Sequence, residues 1–277
     1  MKLTVIISTY NAEAWLHKVL LGFSIQDEVE FEVVVADDGS DIKTKIVIDF
    51  FRDKFKHPIQ HIWQEDDGFR KCKILNKAIV ASKSNYLLFT DGDCIPRKDF
   101  VSKHLSYREK GYFLSGGYFK LPMNVSMAIS DEVIQNQDCF AISWLKKNGF
   151  SLNFKSIKLV RNRFFAGFMN WVTPTKRSWN GHNSSGYKSD ILAINGFNEL
   201  LDYGGEDREM GERLFNNGLL SKQIRYAAIC VHLDHSRNYV DPKKVKYNHE
   251  IRKYNSKNKI TWITTGINEI KLENESN

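Results

Sequence analysis

The sequence predicts an α/β fold, a mostly parallel sheet flanked by helices, on three observations. Short apolar runs alternate with longer amphipathic stretches through the first hundred residues, which is a βαβ rhythm. Those runs are rich in Val, Ile, Leu and Phe without polar alternation, as in strands covered on both faces. Three of them end in polar residues: Ser8-Thr9-Tyr10-Asn11, Asp37-Asp38-Gly39-Ser40 and Asp91-Gly92-Asp93. Open sheets of this kind bind ligands beyond the carboxyl ends of their strands, so three loops converge on one crevice.

Residues 3–8, 31–36, 59–63 and 86–90 read as the strands, with helical patterns between them. From Arg97 the pattern changes. Gly116-Gly117 suggests a strand turn, residues 129–147 read as one helix, and residues 151–180 are polar, aromatic and unassigned. Order returns at residues 189–196. Residues 206–217 have helical periodicity closed by Gly218 as a C-terminal cap, and residues 224–231 read as a late strand. The final polar segment, residues 271–277, is expected to fray.

With 277 residues, 42% hydrophobic and 26% charged, the chain is neither disordered nor fibrous, and one large domain accounts for its length. Cys72, Cys94, Cys139 and Cys230 show no CxxC spacing, which argues against a disulfide framework and a structural zinc site and fits a reducing, cytoplasmic compartment. No apolar run approaches the roughly 20 residues that cross a bilayer, and the N-terminus reads as a first strand rather than a signal peptide. The net charge of +7 is concentrated between Pro242 and Ile260, where seven Lys or Arg face a single Glu. Tyr247 and Tyr254 interleave there, and Trp262 follows just beyond. A basic terminal segment of this kind suits an anionic lipid surface better than a nucleic acid, so peripheral membrane contact is expected and nucleic-acid binding is not.

Asp91-Gly92-Asp93 offers hard oxygen ligands suited to Mg²⁺ or Mn²⁺, and a solvated turn is its competing reading. Asp37-Asp38-Gly39-Ser40 fits either a helix cap or a carboxylate that receives a nucleobase or ribose. No GxGxxG follows the first strand, which disfavours a dinucleotide cofactor. His232 and His235, three apart beside Asp234, form a metal candidate, since neutral imidazole coordinates Mn²⁺. Glu206-Asp207 alone would be helix N-terminal acids placed well for the dipole.

Taken together, Val5-Ile6-Ile7-Ser8-Thr9-Tyr10-Asn11, Val34-Val35-Ala36-Asp37-Asp38-Gly39-Ser40 and Thr90-Asp91-Gly92-Asp93 resemble the three ordered signatures of family 2 inverting glycosyltransferases with the GT-A fold. The resemblance implies that Thr9, Tyr10, Asn11 and Asp38 hold the uridine, that Asp91 contacts the ribose side and that Asp93 binds the metal. Residues 64–78 resemble the segment where a basic residue approaches the diphosphate, here Arg70 or Lys73, and where an Asn, here Asn76, opens toward the nucleotide. Ile194-Asn195-Gly196-Phe197 followed by Gly204-Gly205-Glu206-Asp207 resembles the carboxyl-terminal half of β-1,4-galactosyltransferases and chondroitin-type polymerases. There Asp207 would be the general base and Glu206 would orient the acceptor sugar. The same resemblance makes His235, before Ser236-Arg237, a metal ligand, with His232 where Met is commoner.

The expected organisation is a single GT-A catalytic domain over residues 1–240, with a nucleotide-sugar half (1–96), an acceptor and catalytic half (97–240), and a basic extension (241–277). Its expected activity is inverting transfer of a hexose or N-acetylhexosamine from a UDP-sugar to a glycan or glycolipid hydroxyl, with Mn²⁺ or Mg²⁺. Bacterial surface polysaccharide synthesis at the inner face of the cell membrane is the expected setting. A sugar nucleotidyltransferase would need a Gly/Arg-rich phosphate loop after the first strand, which is missing.

Overall fold

A computed structural model describes residues 1–160, 162–175, 178–236 and 240–270. Its first half is the expected alternation: β1 (Leu3–Thr9), α1 (Glu13–Ser24), β2 (Phe31–Asp37), α2 (Ile42–Phe51), β3 (Gln60–Trp63), α3 (Lys71–Ala81) and β4 (Tyr86–Asp91). There follow β5 (Cys94–Pro96), α4 (Phe100–Tyr107), β6 (Tyr112–Ser115), β7 (Gly117–Lys120), α5 (Met123–Ala128), α6 (Asp131–Gln135), α7 (Ile142–Lys147) and α8 (Arg163–Val172). The chain continues through β8 (Ser184–Tyr187), α9 (Lys188–Ala193), α10 (Glu206–Asn216), β9 (Leu220–Gln223), β10 (Ile229–His232) and α11 (Pro242–Lys257).

Seven strands form the main sheet in the order β3-β2-β1-β4-β8-β6-β9, and β5-β10-β7 form a small second sheet. β1 pairs in parallel with β2 and β4, and β2 with β3, while β8 runs antiparallel to β4 and β6. The unbroken apolar runs follow from burial on both faces. Val5, Ile7, Val33 and Val35 enter the core beside α1, whereas Ile6, Val34 and Ala36 enter the core beside α3 and α10.

Four expectations change. The helix read over 129–147 is broken into α6, a 3-10 turn at Asp138–Phe140, and α7. Gln137 adopts a left-handed φ of 62° there, and its buried amide accepts from the Lys98 N–H and donates to the Ile134 carbonyl. The break thus docks the segment beside β5. At Gly116-Gly117 the chain passes from the main sheet into the small one instead of turning back. The late strand over 224–231 begins only at Ile229, because residues 224–228 form a turn closed by Ala227 and Ala228 amides on the Ile224 carbonyl.

The basic segment is the fourth. Its helix α11 packs on α10 through the buried Asn248, which donates to the Asp202 carbonyl, and Asn255, which donates to Glu209. Ile263, Ile267 and Ile270 are buried beyond it, so residues 241–270 belong to the packed body. The fraying expected at residues 271–277 lies outside the described residues. Among the described residues no helix is long and apolar enough to cross a membrane.

Candidate active site

The three polar loops do meet at the carboxyl ends of β1, β2 and β4. Asn11, at a left-handed φ of 43°, locks two of them together: its N–H donates to Ser40 Oγ and its side chain accepts from the Asp41 N–H. Asp37 is consumed by structure, accepting from the Ser40 N–H and pairing with His61. Asp38 accepts from Gln64 Nε2 at 2.6 Å and the Arg70 N–H at 2.9 Å. Burial nevertheless raises its carboxyl to about 6, the two hydrogen bonds only partly opposing it. Tyr10 is half exposed, and its hydroxyl donates to Asp66, which raises its pKa. Thr9 Oγ1 is enclosed and finds no partner among the described residues.

At the end of β4 the chain turns sharply. The Gly92 N–H returns to the Ser8 carbonyl, and a Cβ at Gly92 would stand 3.0 Å from that oxygen, so glycine lets the two carboxylates leave a turn pressed against β1. Asp91 Oδ1 accepts from Ser8 Oγ at 2.8 Å and from Lys71 Nζ at 2.7 Å. Burial pushes Asp91 up, but the Lys71 ammonium outweighs it and holds the carboxyl well below its ordinary range. Lys71 itself is desolvated, which lowers its pKa, yet the charges of Asp91, Asp207 and Glu206 carry it above its ordinary value. One ammonium therefore joins the DGD turn to the first turn of α10.

Asp207 reaches that point because Gly204 and Gly205, both at φ of 111°, swing the chain into α10. Glu206 folds back to accept from the Gly204 N–H. Asp207 Oδ2 lies 2.7 Å from where a Cβ of Gly181 would be, so only glycine allows the approach. Its Oδ1 is enclosed without a partner among the described residues. Burial is the main reason the carboxyl rises to about 7, with the neighbouring Glu206 and Asp91 adding to it and Lys71 opposing. Behind it, Arg213 and Glu209 form a fully buried ion pair, and Arg213 also donates to the Ile194 and Gly196 carbonyls. That pin fixes α10 against the Ile194–Gly196 turn.

The third group lies on the small sheet. Antiparallel pairing puts His232 opposite Cys94, next to Asp93, and the Leu233 N–H donates to the Asp93 carbonyl. Asp93 Oδ2 is 3.0 Å from His235 Nε2 and 3.6 Å from His232 Nε2, and the two rings stack at 5.5 Å. Each His bonds through Nδ1 to a carbonyl, His232 to that of Leu233 and His235 to that of Ser236. With those nitrogens donating, both Nε2 lone pairs face the Asp93 carboxylate, the arrangement that suits a divalent cation.

Thr9, Tyr10, Asn11, Asp38, Asp91 and Asp93 thus gather at the carboxyl ends of β1, β2 and β4, with Glu206 and Asp207 linked to them through the charge of Lys71 and His232 and His235 against Asp93. Arg70 contributes its backbone to Asp38 and pairs through its side chain with Asp67. Two of the expected residues face elsewhere. Asn76 is fully buried rather than open toward a nucleotide: it donates to the Phe197 carbonyl and Glu199 and accepts from the Phe197 N–H, which ties α3 to the INGF turn. Lys73 lines a hollow with Glu199, Thr265 and Glu269, two residues along α3 from the lysine that meets Asp91. Arg237 lies outside the described residues. Sequence reasoning missed Lys71 and His182. His182 is half-buried amid the charges of Asp91, Asp93, His232 and Lys71, and desolvation lowers it to about 4, which keeps the ring neutral. The only signal for it was a histidine beside Gly181, just past the unassigned residues 151–180.

Residues 4–169 match glycosyl transferase family 2, and residues 164–236 match the N-terminal domain of galactosyltransferase. The chain is 27% identical over 285 residues to an uncharacterized glycosyltransferase, YfnE, of Bacillus subtilis (strain 168), covering 92% of this chain and 71% of that one. It is 24% identical over 237 residues to a chondroitin synthase of Escherichia coli, covering 81% of this chain and 34% of the synthase. The crystal structure of S. aureus TarS 1–349 in complex with UDP-GlcNAc superposes with a TM-score of 0.63 at 18% identity, over 92% of this chain and 66% of that one. The chain thus spans about a third of the chondroitin synthase and just under two thirds of the TarS fragment. Its architecture is the GT-A fold, a mainly parallel sheet flanked by helices. Because the family match takes in more than half of its length, the chain belongs to glycosyl transferase family 2.

Proposed function

We propose that the chain is an inverting, metal-dependent hexosyltransferase that moves a hexose or N-acetylhexosamine from a UDP-sugar to a hydroxyl of a glycan or lipid-linked saccharide, in bacterial surface polysaccharide synthesis. The observation that carries this reading is the meeting of Asp91 and Asp207, from distant segments, on the single ammonium of Lys71. Donor and acceptor functions would then lie on opposite sides of one buried group.

In this reading Thr9, Tyr10, Asn11 and Asp38 bind the uridine, with the half-exposed Tyr10 ring offered to the base. Asp91 takes the ribose side, and Lys71 and Arg70 supply positive charge toward the diphosphate. Glu206 orients the acceptor sugar. Asp207 accepts the proton of the acceptor hydroxyl as that oxygen bonds to the anomeric carbon. The bond from that carbon to the diphosphate oxygen breaks, and its electron pair leaves with UDP. A single displacement turns an α-linked donor into a β-glycoside. A carboxyl near 7 is matched to base work at neutral pH, worth about 10² to 10⁴ in rate. Asp93, His235 and His232 would hold Mn²⁺ or Mg²⁺, which when bound neutralises charge on the leaving diphosphate. The reaction belongs at the cytoplasmic face of the membrane, where the basic surface of α11 would meet anionic lipid.

A panel of nucleotide sugars with Mn²⁺ tests this reading by thermal stabilisation and donor hydrolysis, because a ligand that binds the native state raises its melting temperature. One UDP-sugar should stand out in both measurements. Equal, negligible effects from UDP-, GDP- and CMP-sugars would refute it.

A further inference from the structure

Helix α8 is amphipathic with its apolar face turned outward. Phe164, Phe168 and Trp171, spaced i, i+4 and i+7, form one stripe and are 87%, 57% and 79% exposed. On the inward side Phe165 and Met169 are half-buried beside Ala166 and Asn170. Ala166 is buried, and Asn170 accepts from the Tyr226 N–H through its side chain and from Gln223 Nε2 through its carbonyl. Those bonds fix the helix with its aromatics facing solvent, so the exposure is a property of a held element. On the 3-10 turn before it, Phe154 is 77% exposed.

The sequence on either side of this stripe carries charge of one sign. From residue 139 to residue 189 the sequence carries nine Lys or Arg and no Asp or Glu. Exposed aromatics on a short helix within a purely cationic stretch are what an anionic bilayer surface selects: the rings enter the headgroup boundary and the cations meet lipid phosphates.

The geometry points to α8 as an interfacial membrane anchor that docks this catalytic domain on an anionic lipid surface. Gly181, beside Asp207, is nine positions beyond Val172, so the base lies within about 30 Å of the anchor. A lipid-linked saccharide at that surface is therefore within reach of the base. The contact itself does not depend on the transfer reading.

Co-sedimentation of the full chain with vesicles tests this assignment, using phosphatidylcholine with about 30 mol% phosphatidylglycerol against phosphatidylcholine alone. Wild type should pellet with the anionic vesicles only. Phe164→Ser with Phe168→Ser should reduce that partition more than about tenfold, since both rings are solvent-exposed and their replacement removes only interfacial burial. Its melting temperature and its donor hydrolysis without vesicles should match wild type. The assignment is overturned if wild type ignores anionic vesicles or if the double variant binds within about twofold of it. It is equally overturned if light scattering shows a wild-type dimer that the variant splits, or if Lys243→Gln with Lys246→Gln abolishes binding while the serine variant does not. Donor hydrolysis is scored separately, so failure of the transfer reading leaves the vesicle result intact.

Discussion

Asp207→Asn should make the protein both inactive and more stable, and the second effect is the sharper test. Asp207 ionises at about 7 in the folded chain against an ordinary value of 3.8, mainly because its carboxyl is buried. An acid whose folded value is raised contributes stability below its unfolded pKa and loses it as pH rises through the folded one. The ionised carboxylate is therefore a penalty on the native state at pH 8, absent at pH 4. The rise from 3.8 to about 7 corresponds to at most about 4 kcal/mol. The residue is half-buried and feels the opposing charge of Lys71, so roughly half, about 2 kcal/mol, is a fair expectation. At about 2 to 4 °C per kcal/mol for a chain of this size, the variant should melt about 4 to 8 °C above wild type at pH 8. The gap should close toward pH 4. Scanning calorimetry in chelated buffer measures it, with transfer assayed in parallel and expected to fall by about 10² to 10⁴. A variant that melts at or below wild type at pH 8, or that keeps its turnover, refutes the reasoning.

Three further outcomes are expected. The acid limb of kcat/KM should fall near pH 7, and Lys71→Met should move it to higher pH, because that ammonium is the group lowering Asp207; an unmoved limb contradicts the assignment. His235→Ala should raise the Mn²⁺ concentration for half-maximal activity by at least about tenfold, read by metal titration of the chelated enzyme. Arg213→Met should cost about 3 to 5 kcal/mol in urea denaturation, since it strands the buried Glu209 without its cation; a loss below about 1 kcal/mol would show the pair to be dispensable.

The nucleotide half of the fold was legible because β1, β2 and β4 are buried on both faces, and such strands announce themselves as unbroken Val, Ile and Leu runs with polar stops. The DGD segment could be read because it closes such a strand, whereas Glu206-Asp207 read alone as helix N-terminal acids and stood out only through the resemblance of the GGED segment to a known family. Helix phase defeated the reading of α3. Arg70, Lys71 and Lys73 are alike in charge, and only the position of the helix start turns Lys71 toward Asp91 while Lys73 lines the hollow shared with Arg70 and Glu199. Asn76 was misread because a buried amide that caps a turn from another segment looks, in one dimension, like a polar residue awaiting a ligand. The break at Gln137 and the packing of α11 depend on bonds to residues 98, 202 and 209, distant contacts that no local pattern encodes. His182 is a lone histidine in sequence and acquires its meaning only where β8 meets β4.

The most direct test of a metal-assisted transfer site is a crystal of the protein soaked with MnCl₂ and UDP, read by anomalous diffraction at the manganese edge. One strong peak is expected in coordinating contact with Asp93 and His235, with the diphosphate against it and the carboxylate of Asp207 facing the same cavity. A peak remote from Asp93, or a nucleotide bound away from Tyr10 and Asp38, would contradict that site.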